Sequence, residues 1–273
     1  MVAGANLHGK VFEEILETVF ESAEELLLVD PTAEAVRALM AVTTSASDPP
    51  SIRILADEAL LKDVMDDFVV ASNAADHVAA GTLSMRAGGT GSTNTLVVTG
   101  ASVVSVVAAD GRVAGLRTDD GAFVESAGDR FETAWERAEP YTLRTPSLAR
   151  VRETLESELG EATAEDFDAV LSALEASGET GTELDEVTIS LLVAARNEDL
   201  LYDISKWGED VGIASKATFS RTKSWLEEAG LIETEKVPID VGRPRLRLKL
   251  ADDRLKGVET DEFVNTARSM LEA

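Results

Sequence analysis

The chain contains no cysteine, so it forms no disulfide and offers no thiolate ligand or nucleophile. It has two histidines, His8 and His77, which leaves little imidazole for acid–base or metal chemistry. No apolar run approaches the ~18 residues of a membrane-spanning helix, and the opening MVAGANLHGK lacks the apolar core of a secretory leader. A cytoplasmic location and no membrane partner are therefore expected. Positive charge is also scarce. Lysine and arginine number 25 against 51 acidic residues, for a formal net charge of −26. Such a molecule, taken as a whole, attracts nucleic acid poorly. Hydrophobic residues still make up 44% of the chain, enough for packed cores rather than a disordered acidic polymer. The acid is dispersed along the chain, which suits a high-salt cytoplasm where screening lengths shrink to a few ångströms.

Enzyme motifs are equally thin. No GxxxxGK[ST] phosphate loop is present, and no His/Asp/Glu spacing suggests a metal site. His8-Gly9-Lys10 has the form of a His-x-Lys phosphodiesterase motif, but that motif requires an acid five residues after the lysine, and Ile15 stands there. No catalytic residue, cofactor or enzymatic activity is expected.

Two architectures follow one another. Val11–Leu26 has helical spacing, and Leu26–Asp30 is a short apolar run of the kind that forms a buried strand. Ala33–Val42 is a helix, Ser51–Asp57 a strand and Glu58–Ala71 a helix, an alternation that argues for an α/β sheet. Strands follow at Gly81–Ala87, Thr95–Val98, Ser102–Ala108 and Arg112–Arg117, with Asp110-Gly111 as a hairpin turn. Asp120–Arg137 closes the unit as a helix. Gly88–Asn94 reads as a flexible loop, with an anion cradle as the alternative. Arg53 and Arg86 are the cations placed to clamp a metabolite's phosphate, with surface ion pairing as the alternative. Residues 1–143 thus form an α/β sensor domain. A helical linker region at 144–183 carries helices at Ser147–Leu159 and Ala164–Ala176 and a loop at Ser177–Thr182. A winged helix-turn-helix of α+β class spans 184–252, and a C-terminal helix lies in 253–273, its apolar positions packing on the same chain or on a second subunit.

The richest stretch is Ser215–Leu250. Ser215 is a good N-cap, Phe219, Thr222, Leu226 and Ala229 make a buried stripe, and Gly230 suits the residue after the helix. Lys216, Thr218, Ser220, Arg221 and Lys223 fall on the other side. Two strand-like runs follow, joined at Asp240-Val241-Gly242. In the second, Arg243, Arg245, Arg247 and Lys249 alternate with apolar residues, so the cations share one strand face. Pro244 suits an edge strand. Eight cations against five acids give this stretch +3, while the remaining chain holds seventeen against forty-six, or −29. Ser215, Lys216, Thr218, Ser220, Arg221, Lys223, Arg243, Arg245 and Arg247 are therefore the expected DNA-contacting residues.

The sequence LLYDISKWGEDVGIASKATFSRTKSWLEEAGLIETEKVPIDVGRPRLRLKL resembles the winged-helix part of the haloarchaeal TbsP-type transcriptional regulators. LLLVD, SIRILADE and SVVSVVAADGRVAGL are similar to their N-terminal unit. The resemblance implies a DNA-binding regulator of sugar-metabolism genes that works beside TrmB-type regulators, and a homodimer that places paired recognition helices on double-stranded promoter DNA is the expected arrangement. It also implies a phospholipase-D-like, TrmB-like sensor layout in the N-terminal half, with a phosphorylated sugar as the leading effector. A winged helix that binds protein instead of DNA is the rival.

Overall fold

The computed structural model describes residues 7–9, 11–109, 112–177, 184–238 and 244–272. They fall into two compact units, Met1–Leu143 and Arg144–Ala273.

In the first unit the apolar run after Ala23 becomes the strand at the centre of a sheet. Leu26, Leu27, Leu28 and Val29 are all buried because both faces of β2 (Glu25–Val29) are covered. This stops the preceding helix early. α1 is Phe12–Phe20 and does not run on to Leu26. The eight strands are β1 (Leu7–Gly9), β2, β3 (Ser51–Ala56), β4 (Leu83–Ala87), β5 (Thr95–Val98), β6 (Val103–Ala109), β7 (Arg112–Thr118) and β8 (Glu139–Pro140). Their order is β1-β7-β6-β5-β2-β3-β4-β8. β2, β3 and β4 run parallel, and the other pairings are antiparallel. Leu26 and Leu28 join Ile52, Ile54, Val97 and Val104 in a core with α1 and α2 (Ala33–Ser45). Leu27, Val29, Leu55 and Val98 form a second core with Phe131 and Trp135 of α5 (Gly121–Arg137).

The single helix expected at Glu58–Ala71 is instead two, α3 (Glu58–Val64) and α4 (Phe68–Ala79). Asp67 decides the break. Its carboxylate accepts from the amides of Val69 at 3.0 Å and Val70 at 3.3 Å, so it opens a new helix rather than continuing the old one. The Asp110-Gly111 turn lies outside the described residues, although Ala109 does face Arg112 across the β6–β7 pair.

In the second unit, α6 (Leu148–Leu159), α7 (Glu161–Ser177), α8 (Glu186–Arg196), α9 (Leu201–Val211) and α10 (Lys216–Glu228) precede a hairpin of β9 (Ile232–Val237) and β10 (Arg245–Leu250). α11 (Thr260–Leu271) follows. Where a helical linker region at 144–183 was expected, its described residues, 144–177, fall within this unit. Trp207 of α9 is fully buried, donates from Nε1 to Thr154 of α6 at 3.0 Å, and meets Phe167 of α7 edge-on with ring centres 6.4 Å apart. α11 buries Phe263, Val264 and Ala267 on its own chain, with Arg196 over the Phe263 ring at 5.1 Å. The expected loop at Ser177–Thr182 begins at the last residue of α7, and its remainder lies outside the described residues, as does the Asp240–Gly242 turn. Among the described residues, no helix is long and apolar enough to cross a membrane.

Candidate nucleic-acid interface

α9 and α10 are set by one close approach. Gly208 of α9 lies against the fully buried Phe219 of α10. A Cβ at Gly208 would sit 2.3 Å from the ring atoms Cε2 and Cζ. The connection between the helices turns at Gly212, whose φ of 96° is the left-handed conformation glycine adopts without steric cost. Ser215 then caps α10, its hydroxyl accepting from the Thr218 amide at 3.2 Å. Phe219 and Leu226 are buried, and Gly230 follows the helix at φ 75°.

Ser215, Lys216, Ser220 and Arg221 are exposed, and Thr218 is half-buried. Arg221 leans on Thr218 (Nη2 to Oγ1, 3.4 Å) and has no acidic partner among the described residues. Lys216 does, with Nζ 2.9 Å from Glu209 of α9. That hydrogen bond raises the lysine above its ordinary pKa and lowers the glutamate. Lys223 departs from the expectation. It pairs with Glu227 at 2.7 Å, its side chain is only 13% exposed, and Glu227 also accepts from Thr234 of β9 at 2.9 Å. Lys223 is therefore drawn into the seam between α10 and the hairpin instead of standing on the outer face. Trp225, one turn beyond Arg221, is 41% exposed, and helical spacing alone did not single it out.

The alternation in β10 is present. Leu248 and Leu250 are buried, while Arg245, Arg247 and Lys249 take the other face. Arg243 lies outside the described residues. β10 is an edge of a two-stranded sheet, as Pro244 suggested. β9 pairs along one side, and on the other a single isolated bridge joins Arg247 to Leu200 while the Leu248 amide donates to the Asp199 carbonyl at 2.9 Å. Its described cations, however, are not free. Arg245 pairs with Asp203 at 3.1 Å and lies over the Tyr202 ring at 4.4 Å. Arg247 is 3.9 Å from Glu198, and Lys249 is 2.7 Å from Glu235. β9 contributes to this because its register sets Glu235 opposite Arg247 and Glu233 opposite Lys249 on the same face.

In the first unit the two proposed effector cations converge on Trp135. Arg53 lies 5.4 Å from its ring centre and pairs with Glu132 of α5 at 2.7 Å. Arg86 lies 5.0 Å from the same ring and donates to the carbonyls of Trp135, Glu136 and Ala138 at 2.8, 3.4 and 3.5 Å. Arg86 thus supplies a charged donor to carbonyls at the end of α5, one of which, that of Trp135, also accepts the Ala138 amide at 3.2 Å. A cavity of about 460 Å³ lies between α5 and strands β2, β3 and β5, with Leu27, Val98 and Val124 beside Arg53, Asp129 and Glu132.

The glycine loop also differs from the flexible loop expected. Asp30, at the end of β2 with φ 42°, accepts from the Thr90 hydroxyl at 2.6 Å, the Thr90 amide at 3.1 Å and the Ser92 amide at 2.9 Å. The loop does cradle an anion, and that anion is the chain's own carboxylate. A Cβ on Gly89 would lie 3.3 Å from Asp30 Oδ1, so glycine there permits the approach. The available signal was an acid ending an apolar strand before proline.

Residues 147–268 match the family described as "Transcriptional regulator TbsP-like, C-terminal HTH domain", and residues 4–146 match "Transcriptional regulator TbsP-like, N-terminal". The chain belongs to the TbsP-like transcriptional regulators. Its capped helix and hairpin accordingly form the helix-turn-helix DNA-binding domain of that family. Among solved structures, the archaeal chromatin protein TrmBL2 is 17% identical with a TM-score of 0.38, over 50% of this chain and 54% of that one. This chain therefore spans about half the length of TrmBL2. Nuc of Salmonella typhimurium, a phospholipase D family member, is 11% identical with a TM-score of 0.35, over 50% of this chain and 97% of that one. No curated protein matches the chain. In this TbsP-like regulator, Ile15 at the motif position of a phosphodiesterase acid is 1% exposed and packs in the core.

Proposed function

We propose that this chain is a sequence-specific regulator of sugar-metabolism genes, acting in the cytoplasm as a homodimer on double-stranded promoter DNA. Exposed Arg221 on a capped helix, without an acidic partner among the described residues, carries this reading. A free guanidinium on the outer face of a recognition helix is suited to the O6/N7 edge of guanine. Ser215, Lys216, Thr218 and Ser220 would flank it on bases and phosphates, and Arg243, Arg245 and Arg247 would set the wing on the backbone. Lys223 is set aside because it is enclosed with Glu227.

Promoter affinity would be tuned by a small metabolite in the first unit. The cavity beside α5 has a suitable size, within the ~300–1,000 Å³ common for ligand sites. A phosphorylated sugar would have to compete with Glu132 for Arg53, while Arg86 is occupied by carbonyls. The test combines mobility shifts in molar potassium chloride with genome-wide occupancy in cells grown with and without sugar. Occupancy at sugar-metabolism promoters that changes with sugar supports the reading. Occupancy elsewhere, or indifferent to sugar, refutes the regulatory part.

A second reading, a winged helix that binds protein, is favoured by exposed Trp225 and by the neutralised wing. The absence of a shift with any upstream fragment would select it.

A further inference from the structure

Four cations of the recognition helix and wing meet carboxylates brought from elsewhere in the unit. Lys216 meets Glu209 at 2.9 Å, Arg245 meets Asp203 at 3.1 Å, Arg247 meets Glu198 at 3.9 Å, and Lys249 meets Glu235 at 2.7 Å. These are not neighbours along one helix. Asp203 and Arg245 are 42 residues apart in sequence. Glu198 holds a left-handed backbone, φ 57°, that a glutamate adopts only at a cost. The tertiary fold assembles the pairing.

We propose that Glu198, Asp203, Glu209 and Glu235 are internal competitors for DNA phosphate, which makes binding nearly insensitive to salt. The proposal rests on the DNA-binding reading of α10 and the wing. In the free protein each carboxylate holds one cation in place. On binding, phosphate takes the cation and displaces the carboxylate. The displaced carboxylate then faces DNA on a chain of formal charge −26 and takes up a potassium ion.

Counterion accounting gives the size of the effect. Counted per bound subunit, as are all slopes below, a free cation neutralising a phosphate contributes about −0.9 to the slope of log affinity against log salt, so five free cations would give about −4.5. If four of them are paired in the free protein, ion uptake offsets ion release at each. Arg221 is left to contribute about −0.9, and Arg243, which lies outside the described residues, adds at most about as much again. Lys223 is outside this count because its pair with Glu227 is enclosed.

The experiment uses the full chain and a duplex it selects from a random pool, with anisotropy titrations from about 0.2 to 2 M potassium chloride. The wild-type slope is expected to be shallower than about −2 per subunit. Glu209→Gln and Glu235→Gln each free one cation, so each should steepen the slope by about 0.9 and tighten binding most at the lowest salt. Lys216→Gln should leave the slope close to wild type, because its release was already offset. Circular dichroism checks that each variant is folded. A wild-type slope near −4.5, unchanged slopes in both glutamine variants, or a flatter slope in Lys216→Gln would each overturn the proposal. Failure to retain any duplex would instead refute the DNA-binding reading beneath it.

Discussion

Gly208→Ala tests the packing that places the recognition helix. Two effects oppose each other. Alanine is the better helix former, and replacing glycine in a helix interior gains about 1 kcal/mol. Against this, the new methyl would lie 2.3 Å from two atoms of the Phe219 ring. Ordinary carbon contacts begin near ~3.5 Å, so α9 and α10 must separate by more than ~1 Å or the ring must leave its rotamer. Phe219 is completely buried, which leaves no solvent to receive it. Overpacking of this kind costs about 1–3 kcal/mol, and an overlap this deep belongs at the upper end. The net expectation is about 2 kcal/mol of destabilisation in the second unit. Urea unfolding followed by tryptophan fluorescence reads it, because Trp207 and Trp225 report on that unit while Trp135 reports on the first. The double variant with Phe219→Leu, which removes the clashing ring, should cost less than the sum of the singles by at least about 1 kcal/mol. Stability of Gly208→Ala within about 0.3 kcal/mol of wild type, or simple additivity of the pair, would refute the close-approach argument.

Arg221→Ala should weaken the selected duplex by about 1–3 kcal/mol and relax preference at one base pair, whereas Arg245→Ala should weaken selected and scrambled duplexes alike. Equal losses for both variants on both duplexes would contradict that division. Asp30→Ala should leave the Thr90 and Ser92 amides without their acceptor, costing about 1–3 kcal/mol and speeding proteolysis within residues 88–94. An unchanged cleavage pattern would show that the carboxylate does not order the loop. Hydrogen bonds from Arg254 hold the Asp252 carboxyl at about 2, below its ordinary 3.8. Because the folded value is the lower one, its stabilising contribution is complete above about 3.8 and disappears as pH falls through about 2. An NMR titration of Arg254→Ala should raise its midpoint toward 3.8, part of the shift being kept by the residue-254 amide that donates to the same carboxylate, and no movement would remove the Arg254 side chain as a cause.

Local patterns carried most of the element order. Ser215, Asp120 and Ser147 all cap helices, each by accepting a nearby amide, because capping depends on neighbours three residues away. Boundaries were lost where two local signals competed. At Leu26 helical spacing yielded to a strand buried on both faces, and at Asp67 a cap divided one apolar pattern into two helices. The recognition face was legible in part. Lys216 and Arg221 stand exposed as spacing predicts, but Lys223 turns to Glu227 and Thr234, and Thr234 is a partner on another element.

Residue order alone determined that this protein has an α/β half followed by a helical half whose Ser215–Leu250 stretch is locally basic, because periodicity, capping and composition are local or additive. Only the tertiary structure decided which charges remain available. An arginine in an alternating strand has the same local sequence whether its guanidinium meets solvent, Asp203 or a phosphate. The choice depends on carboxylates that folding brings within about 4 Å, where Coulomb and hydrogen-bond energies become significant. The glycine loop illustrates the same point. Its amides were available to an anion on sequence grounds, and the position of Asp30 at the end of β2 determined which anion they hold.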